Sequence, residues 1–392
     1  MDKPVKIVHV ASDEKFINSA FAQFEAVYKG ANFFYLIVDD ITAPLKYVNP
    51  NNQIFLETNA VANLKKLHEK FKDATLICFH SLNYFNSIVL NHTPSYYKTL
   101  CMFWGLEFYN NPIFFNQQDV LGIQTFGAYF KKDLQEKLLT SFKDVFRQLK
   151  YRLIDGTNSP HTEVAKAIRK VDFCGALYEE EHELMKIKAS VNFDFFKFTY
   201  YPLELMIGEN SDWVTGTDIM LGNSASYSNN HLEAFELLNK FNLENRKVVL
   251  PLSYGNQSYK EDILKKGETA LRDHFEPLTT FLGLQEYNNY LKRCGIVIMN
   301  HYRQQAFGNI VVMLFMGAKL YLNENNTIYR FLKRMGIHVY SISDDFNADN
   351  INALEVLDND KRIHNREVLK SLLSRNLLED ALVKQLEKIQ CR

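Results

Sequence analysis

Short apolar runs alternate with helix-spaced patterns along almost the whole chain. Residues 5–10 form an apolar run closing at Ala11 and Ser12, and 16–28 carry apolar residues at helical spacing. The series continues with a strand at 33–38, a helix at 60–71, a strand at 74–79 ending at His80, and a strand at 99–104 broken by Gly105. A long helical pattern follows at 129–153. Leu134, Leu138, Phe142, Val145 and Leu149 form its apolar stripe, and seven Lys and Arg cover the rest. The turn cluster at 155–160 precedes another strand at 171–174.

A second series begins after residue 216. Strands are expected at 218–221, 247–252, 296–299 and 319–322, and helices at 231–243, 259–266, 284–294 and 310–315. A helix at 367–389 closes the chain. Uninterrupted strand–helix alternation predicts parallel sheets covered on both faces. The expected architecture is α/β, with two Rossmann-like doubly wound domains facing a cleft. The first domain is placed at 1–205 and the second at 206–365, with 366–392 as a helix crossing back to the first. Ligands in such sheets bind outside the carboxyl ends of the strands.

Composition narrows the function classes. The 392 residues carry 45 Lys and Arg against 46 Asp and Glu, a net charge of -1. That balance gives no general electrostatic drive toward nucleic acid. Five scattered cysteines with no CxxC spacing point to buried thiols in a reducing compartment. No window of about 18 apolar residues is present to span a bilayer. The aromatic share, 14%, is high enough to supply a ligand cleft or a lipid interface. The expected location is cytoplasmic.

Three polar turns follow strands of the second domain. In "LGNSASYSNNH", Gly222 permits close backbone approach, and Asn223, Ser224 and the residues up to Asn230 open a helix. In "VVLPLSY", Pro251 to Tyr254 follow a strand end. In "YRQQAFGN", Arg303, Gln304 and Gln305 precede a helix starting near Gly308 and Asn309, and Arg303 offers a planar fork for phosphate. Each turn alone is an ordinary Asn- or Ser-rich loop; their convergence on one ligand is the stronger signal. In the first domain, Glu107, His80 and Asp13 all follow strand ends, where a carboxylate or imidazole can deprotonate a hydroxyl. The plain alternatives are a satisfied core histidine for His80 and an ion-paired surface residue for Glu107. "YEEEHE" at 178–183 is metal-like in composition but is expected to be a solvated helix face. No DxD-type motif lies between a strand and a cleft, so no metal or cofactor is expected.

The stretches "WGLEFY" at 104–109, "LGNSASYSNNH" at 221–231, "VVLPLSY" at 248–254 and "YRQQAFGN" at 302–309 occur in an order and spacing that resemble one family. It is that of the TDP-4-acetamido-4,6-dideoxygalactose (Fuc4NAc):lipid-linked-oligosaccharide transferases, 4-alpha-L-fucosyltransferase-like glycosyltransferases of the B-type fold in enterobacterial common antigen synthesis. The resemblance implies transfer of a deoxy-amino sugar from a TDP- or UDP-sugar to a polyprenyl-diphosphate-linked glycan. It implies that Gly222, Asn223, Ser224, Ser228, Asn229 and His231 line a diphosphate loop. Pro251 and Tyr254 would flank the nucleotide. Arg303, Gln304, Gln305, Gly308 and Asn309 would reach the diphosphate or sugar. Glu107 stands where the family more often has Asp, and Gly295 where an Asp is expected; the donor sugar is left open by such departures. A lipid-linked acceptor implies an anionic membrane surface as partner, met by Lys132, Lys143, Arg147 and Lys150 of the basic helix. The rival functions are a nucleotide-sugar epimerase on the same fold and a non-catalytic sugar-nucleotide-binding protein.

Overall fold

The computed structural model describes residues 5–131, 146–208 and 212–390. Two compact units emerge, each built on one parallel sheet. The first is drawn from Met1–Phe115, Lys132–Tyr201 and Asn376–Arg392, the second from Asn116–Lys131 and Pro202–Arg375. The chain therefore leaves the first unit at residue 201, not 205. Residues 116–131, expected in the first domain, fold with the second.

The first sheet holds β1 (Ile7–Ser12), β2 (Asn32–Val38), β3 (Ile54–Thr58), β4 (Leu76–His80), β5 (Thr99–Met102), β6 (Phe173–Ala176) and β7 (Asp194–Lys197), in the order β3-β2-β1-β4-β5-β6-β7. The central strands are apolar on both faces because helices cover both. Ala20 and Phe24 of helix Ile17–Val27 pack with Ile7, Leu76 and Leu100 in one core, and Ile17 joins Phe34, Leu36 and Val48 in another. The helix Arg375–Gln390 belongs to this unit. Its Leu382, Leu386 and Ile389 recur at helical spacing and are buried with Leu100, Phe173 and Phe196. Each such side chain contributes about 1.5–3 kcal/mol on burial. The same helix treats the open edge of the sheet. Gln385 accepts from the Lys197 N–H at 2.6 Å and donates to the Lys197 carbonyl at 3.0 Å, occupying backbone groups of edge strand β7.

The second sheet holds β8 (Ile219–Leu221), β9 (Val248–Pro251), β10 (Phe275–Leu278), β11 (Ile296–Met299), β12 (Lys319–Leu322) and β13 (Tyr340–Ser341), in the order β10-β9-β8-β11-β12-β13. All pairings in both sheets are parallel. Helices His231–Leu238 and Gln257–Leu271 bury Ala234, Phe235, Leu238, Tyr259 and Ile263 against Ile219, Leu221, Leu250 and Ile298.

Several expected elements change. The helix at 60–71 is a short turn, Val61–Leu64, followed by a 3₁₀ turn, Leu67–Lys70. The pattern at 129–153 does not start at Tyr129, where helix Ile123–Tyr129 ends. The helix at 367–389 is two helices, Asn359–Leu373 and Arg375–Gln390, separated at Ser374, which is extended.

Candidate functional site

In the second unit, β9, β8 and β11 are neighbours, so the loops that follow them lie side by side. The Asn223 side chain joins all three. Its Nδ2 donates to the Tyr254 hydroxyl at 2.9 Å, and its Oδ1 accepts from Gln305 Nε2 at 3.1 Å. Its backbone N–H donates to Asn229 Oδ1 at 2.9 Å. Ser228 Oγ donates to Gln305 Oε1 at 2.6 Å, and Asn229 Nδ2 donates to Ser224 Oγ at 3.3 Å. Two glycines allow the close approach. Gly222 has φ +68°, and Gly255, at +126°, lies where a Cβ would meet the Ala225 carbonyl at 2.3 Å.

His301, passed over in the sequence, sits beneath this junction. Its Nε2 faces Asn223 Oδ1 at 3.1 Å and Asn229 Oδ1 at 2.9 Å. Two carboxamide oxygens can only accept, so Nε2 carries the proton. Nδ1 is then a bare acceptor, buried without a partner. Burial, reinforced by the nearby Arg303 charge, pushes the His301 pKa down to about 3. The signal in the sequence was its place two residues after a strand end.

His231 is its counterpart. The Tyr259 hydroxyl stands 3.0 Å from His231 Nδ1. His231 Nε2 is buried without a partner. A Cβ on Gly222 would lie 2.9 Å from that nitrogen. Burial pushes the His231 pKa to about 3 as well.

The helix start expected near Asn230 is already occupied. Asn230 caps helix His231–Leu238 in the left-handed conformation, accepts from the Gly122 N–H at 2.8 Å and donates to the Asn300 carbonyl at 2.8 Å. Thr125 binds the Glu233 carboxylate from the same segment. The more open helix start is that of Phe307–Phe315. Ala306 caps it without a side-chain hydrogen bond, and a Cβ on Gly308 would meet nothing within 4 Å. Arg303, Gln304 and Asn309 are half-buried around it. A helix start with a nearby Arg is suited to an anion. Pro251 is buried at the end of β9, and the Tyr254 ring is 54% exposed. A cavity of about 540 Å³ opens beyond the ends of β11 and β12, lined in part by Asn300, Tyr302, Asn323 and Glu324.

Among the described residues of the first unit, Glu107 holds the buried carboxylate oxygen that has no partner. Gly105, at φ +87°, turns the chain after β5 into the helical turn Leu106–Tyr109 and aims Glu107 back at the end of β4. Oε1 accepts from Ser81 Oγ at 2.8 Å, Trp104 N at 3.2 Å and Leu82 N at 3.3 Å; Oε2 is buried without a partner. Burial raises its pKa despite those donors.

The other two expected bases are engaged by partners of their own. His80 is 1% exposed, and both its nitrogens are engaged, with His9 Nδ1 at 3.0 Å and the Tyr200 hydroxyl at 2.9 Å. Burial holds it neutral, with a pKa of about 3. The Tyr200 hydroxyl also accepts from Trp104 Nε1 at 2.9 Å, so His80 lies two contacts behind the Glu107 loop. Asp13 accepts from three backbone N–H groups, those of Lys46, Tyr47 and Val48, and fixes that loop. Among the described residues, His9, Cys78 and His80 bring ligand atoms within 4.8 Å of one another on one face of β1 and β4. The two imidazoles there are hydrogen-bonded to each other, which accounts for the cluster. The 178–183 stretch is not a solvated face: Glu181 and His182 are buried, Glu181 against the Tyr109 hydroxyl and His182 Nε2 on the Phe193 carbonyl.

Residues 182–369 match the family described as 4-alpha-L-fucosyltransferase glycosyl transferase group 56. The group 56 match takes in every loop joined by Asn223. Among solved structures, the chain is similar to the alpha,alpha-trehalose 6-phosphate synthase of Burkholderia multivorans at 10% identity, over 99% of this chain and 97% of that one, with a TM-score of 0.57. It is similar to Anabaena HepE in complex with UDP-glucose at 10% identity, over 98% and 99%, with a TM-score of 0.60. These likenesses show the fold, two Rossmann-like domains of the B-type glycosyltransferase kind.

Proposed function

We propose that this protein is a glycosyltransferase using a nucleotide-sugar donor. The observation that carries it is the joining of three strand-end loops through Asn223 beside the helix start at Phe307, inside the group 56 match. HepE, of the same fold, is complexed with UDP-glucose. In finer terms, the donor is a TDP- or UDP-linked deoxy-amino sugar of the Fuc4NAc type. The acceptor is a polyprenyl-diphosphate-linked glycan, and the enzyme works at the inner face of the cell membrane.

The residues divide the work by unit. On the acceptor side, Glu107 takes the proton of the attacking hydroxyl on Oε2, while Ser81, Leu82 and Trp104 hold Oε1. On the donor side, the sugar–phosphate bond breaks and negative charge grows on the leaving diphosphate. The Arg303 guanidinium and the positive end of helix Phe307–Phe315 meet that charge without a metal. His231 Nε2 is left for a polar atom of the ligand, and His301 Nδ1 accepts from a hydroxyl or amide N–H.

Two measurements test the reading. Calorimetric titration with TDP and UDP is expected to show binding of at least one. Incubation of nucleotide-sugars with a lipid-linked acceptor, read by mass spectrometry, is expected to add one sugar mass. Absence of both removes the glycosyltransferase reading.

A further inference from the structure

The segment 146–155 of the first unit presents its apolar side chains outward. Phe146 is 70% exposed, Leu149 47%, Leu153 83% and Ile154 70%. At 146, 149 and 153 they share one helical face. The residues between them are basic or neutral: 146–154 contains Arg147, Lys150 and Arg152 and no acid. Yet the segment is anchored. The Tyr151 ring packs on Tyr84 at 5.5 Å, and Lys65 Nζ donates to the carbonyls of Asp155 and Gly156, each at 3.0 Å. A cavity of about 790 Å³ adjoins it, lined in part by Val61, Lys66, Tyr84, Phe85, Tyr151 and Ile154.

We propose that this segment seats the protein on a bilayer bearing anionic headgroups. Leu149, Leu153 and Ile154 enter the headgroup–acyl boundary, and Lys150 and Arg152 pair with headgroup phosphates. Outward apolar side chains interleaved with three cations, with the one acid, Asp155, half-buried at the segment's end, are the charge and shape complement of such a surface. A water-soluble protein partner would not require that mixture. The placement also serves the acceptor. Tyr84, in the cavity wall, opens helix Tyr84–His92, and Leu82, two residues earlier, donates to Glu107. Two residues span about 7 Å at most, so the cavity wall and the carboxylate share one helix start. A lipid-linked glycan whose tail stays in the leaflet meets Glu107 from that side. Of the four cations expected to face the membrane, Arg147 and Lys150 are exposed here, and Lys132 and Lys143 lie outside the described residues.

The inference rests on the lipid-linked acceptor proposed above, and its test is independent of turnover. The full chain is sedimented with vesicles of phosphatidylglycerol and phosphatidylcholine, or of phosphatidylcholine alone. Binding to the mixed vesicles only is expected. Lys150→Glu/Arg152→Glu should weaken it about tenfold or more. Leu149→Ser/Leu153→Ser/Ile154→Ser should do the same, with circular dichroism and nucleotide titration unchanged. Leu153→Trp, which tolerates any folding loss in the triple variant, should shift its emission to the blue on mixed vesicles. Parent-level sedimentation of both multiple variants, or no emission shift, overturns the proposal. So does a dimer in solution that the triple serine variant dissociates, since the patch is then a contact between copies. If vesicle binding fails while the protein still binds nucleotide and glycosylates a water-soluble acceptor analogue, the enzyme reading stands and the membrane surface falls.

Discussion

In the proposed reaction Glu107 meets the acceptor and Arg303 the donor, and they lie in different units, so their substitutions should have separable effects. Glu107→Gln keeps the shape and the Ser81 contact but removes the base. Turnover is expected to drop about 10²–10⁴-fold, with nucleotide affinity unchanged in calorimetry. Burial raises the Glu107 pKa, so the base loses its proton only at a pH above the ordinary carboxylate range. The acid limb of the wild-type pH–rate profile should lie correspondingly high. Any residual activity of the Gln variant should lack that limb. Arg303→Ala should act on the donor instead. A charge-assisted hydrogen bond is worth roughly 1.5–3 kcal/mol, so nucleotide Kd should rise about 10- to 150-fold at constant fold. A Kd within twofold of wild type would remove Arg303 from the donor site. At this scale Arg303 and the Asn/Ser loops were visible in the sequence as polar residues after apolar runs. The fates of His80 and Asp13 were not. Whether a strand-end polar residue faces solvent or a buried partner depends on what the remote chain brings there, here His9, Tyr200 and the 46–48 loop.

The elements show where periodicity carries information. The four strands that no pattern announced, β3, β7, β10 and β13, are the four edges of the two sheets. The central strands read as continuous apolar runs, such as "IVHVA" and "IVIM", because both faces are covered. The edge strands "IFLET", "DFFK", "FEPL" and "YS" are partly exposed and mix polar with apolar residues. Of the helix expected at 129–153, residues 146–155 are helical, 132–145 lie outside the described residues, and the start differs: Tyr129 ends helix Ile123–Tyr129 of the second unit, because a continuous helical period does not announce a change of unit. Loop chemistry gives a sharper test at this scale. Gly255→Ala would place a Cβ against the Ala225 carbonyl and hold a non-glycine residue at φ +126°. The cost is expected to be about 1–3 kcal/mol, measured by urea unfolding. Because Ala225 and Tyr254 share that bridge, nucleotide binding should weaken in the same variant.

At the scale of the molecule, the buried histidines set the acid limit. His80, His231 and His301 each have a pKa near 3, against 6.5 for an exposed imidazole, because burial disfavours their charged form. Between those values the unfolded chain binds more protons than the folded one, so stability is full above pH 6.5 and falls as pH drops toward 3. The melting temperature is expected to decline steadily from pH 7 to pH 4.5. His301→Gln, which can keep a donor to Asn223 and Asn229 without a titrating ring, should flatten that decline. A slope identical to wild type would show that His301 contributes nothing to it.

The return of helix Arg375–Gln390 to the first unit also fixes an order of assembly during synthesis. The second unit is encoded later, yet all of its chain has been made by residue 375. The first unit must wait for the segment that follows, with Leu100, Phe173 and the β7 edge uncovered in the meantime. The half that starts first therefore finishes last. Separate expression of the two halves, cut at residue 201, should give a first half that aggregates unless the 376–390 segment is supplied with it.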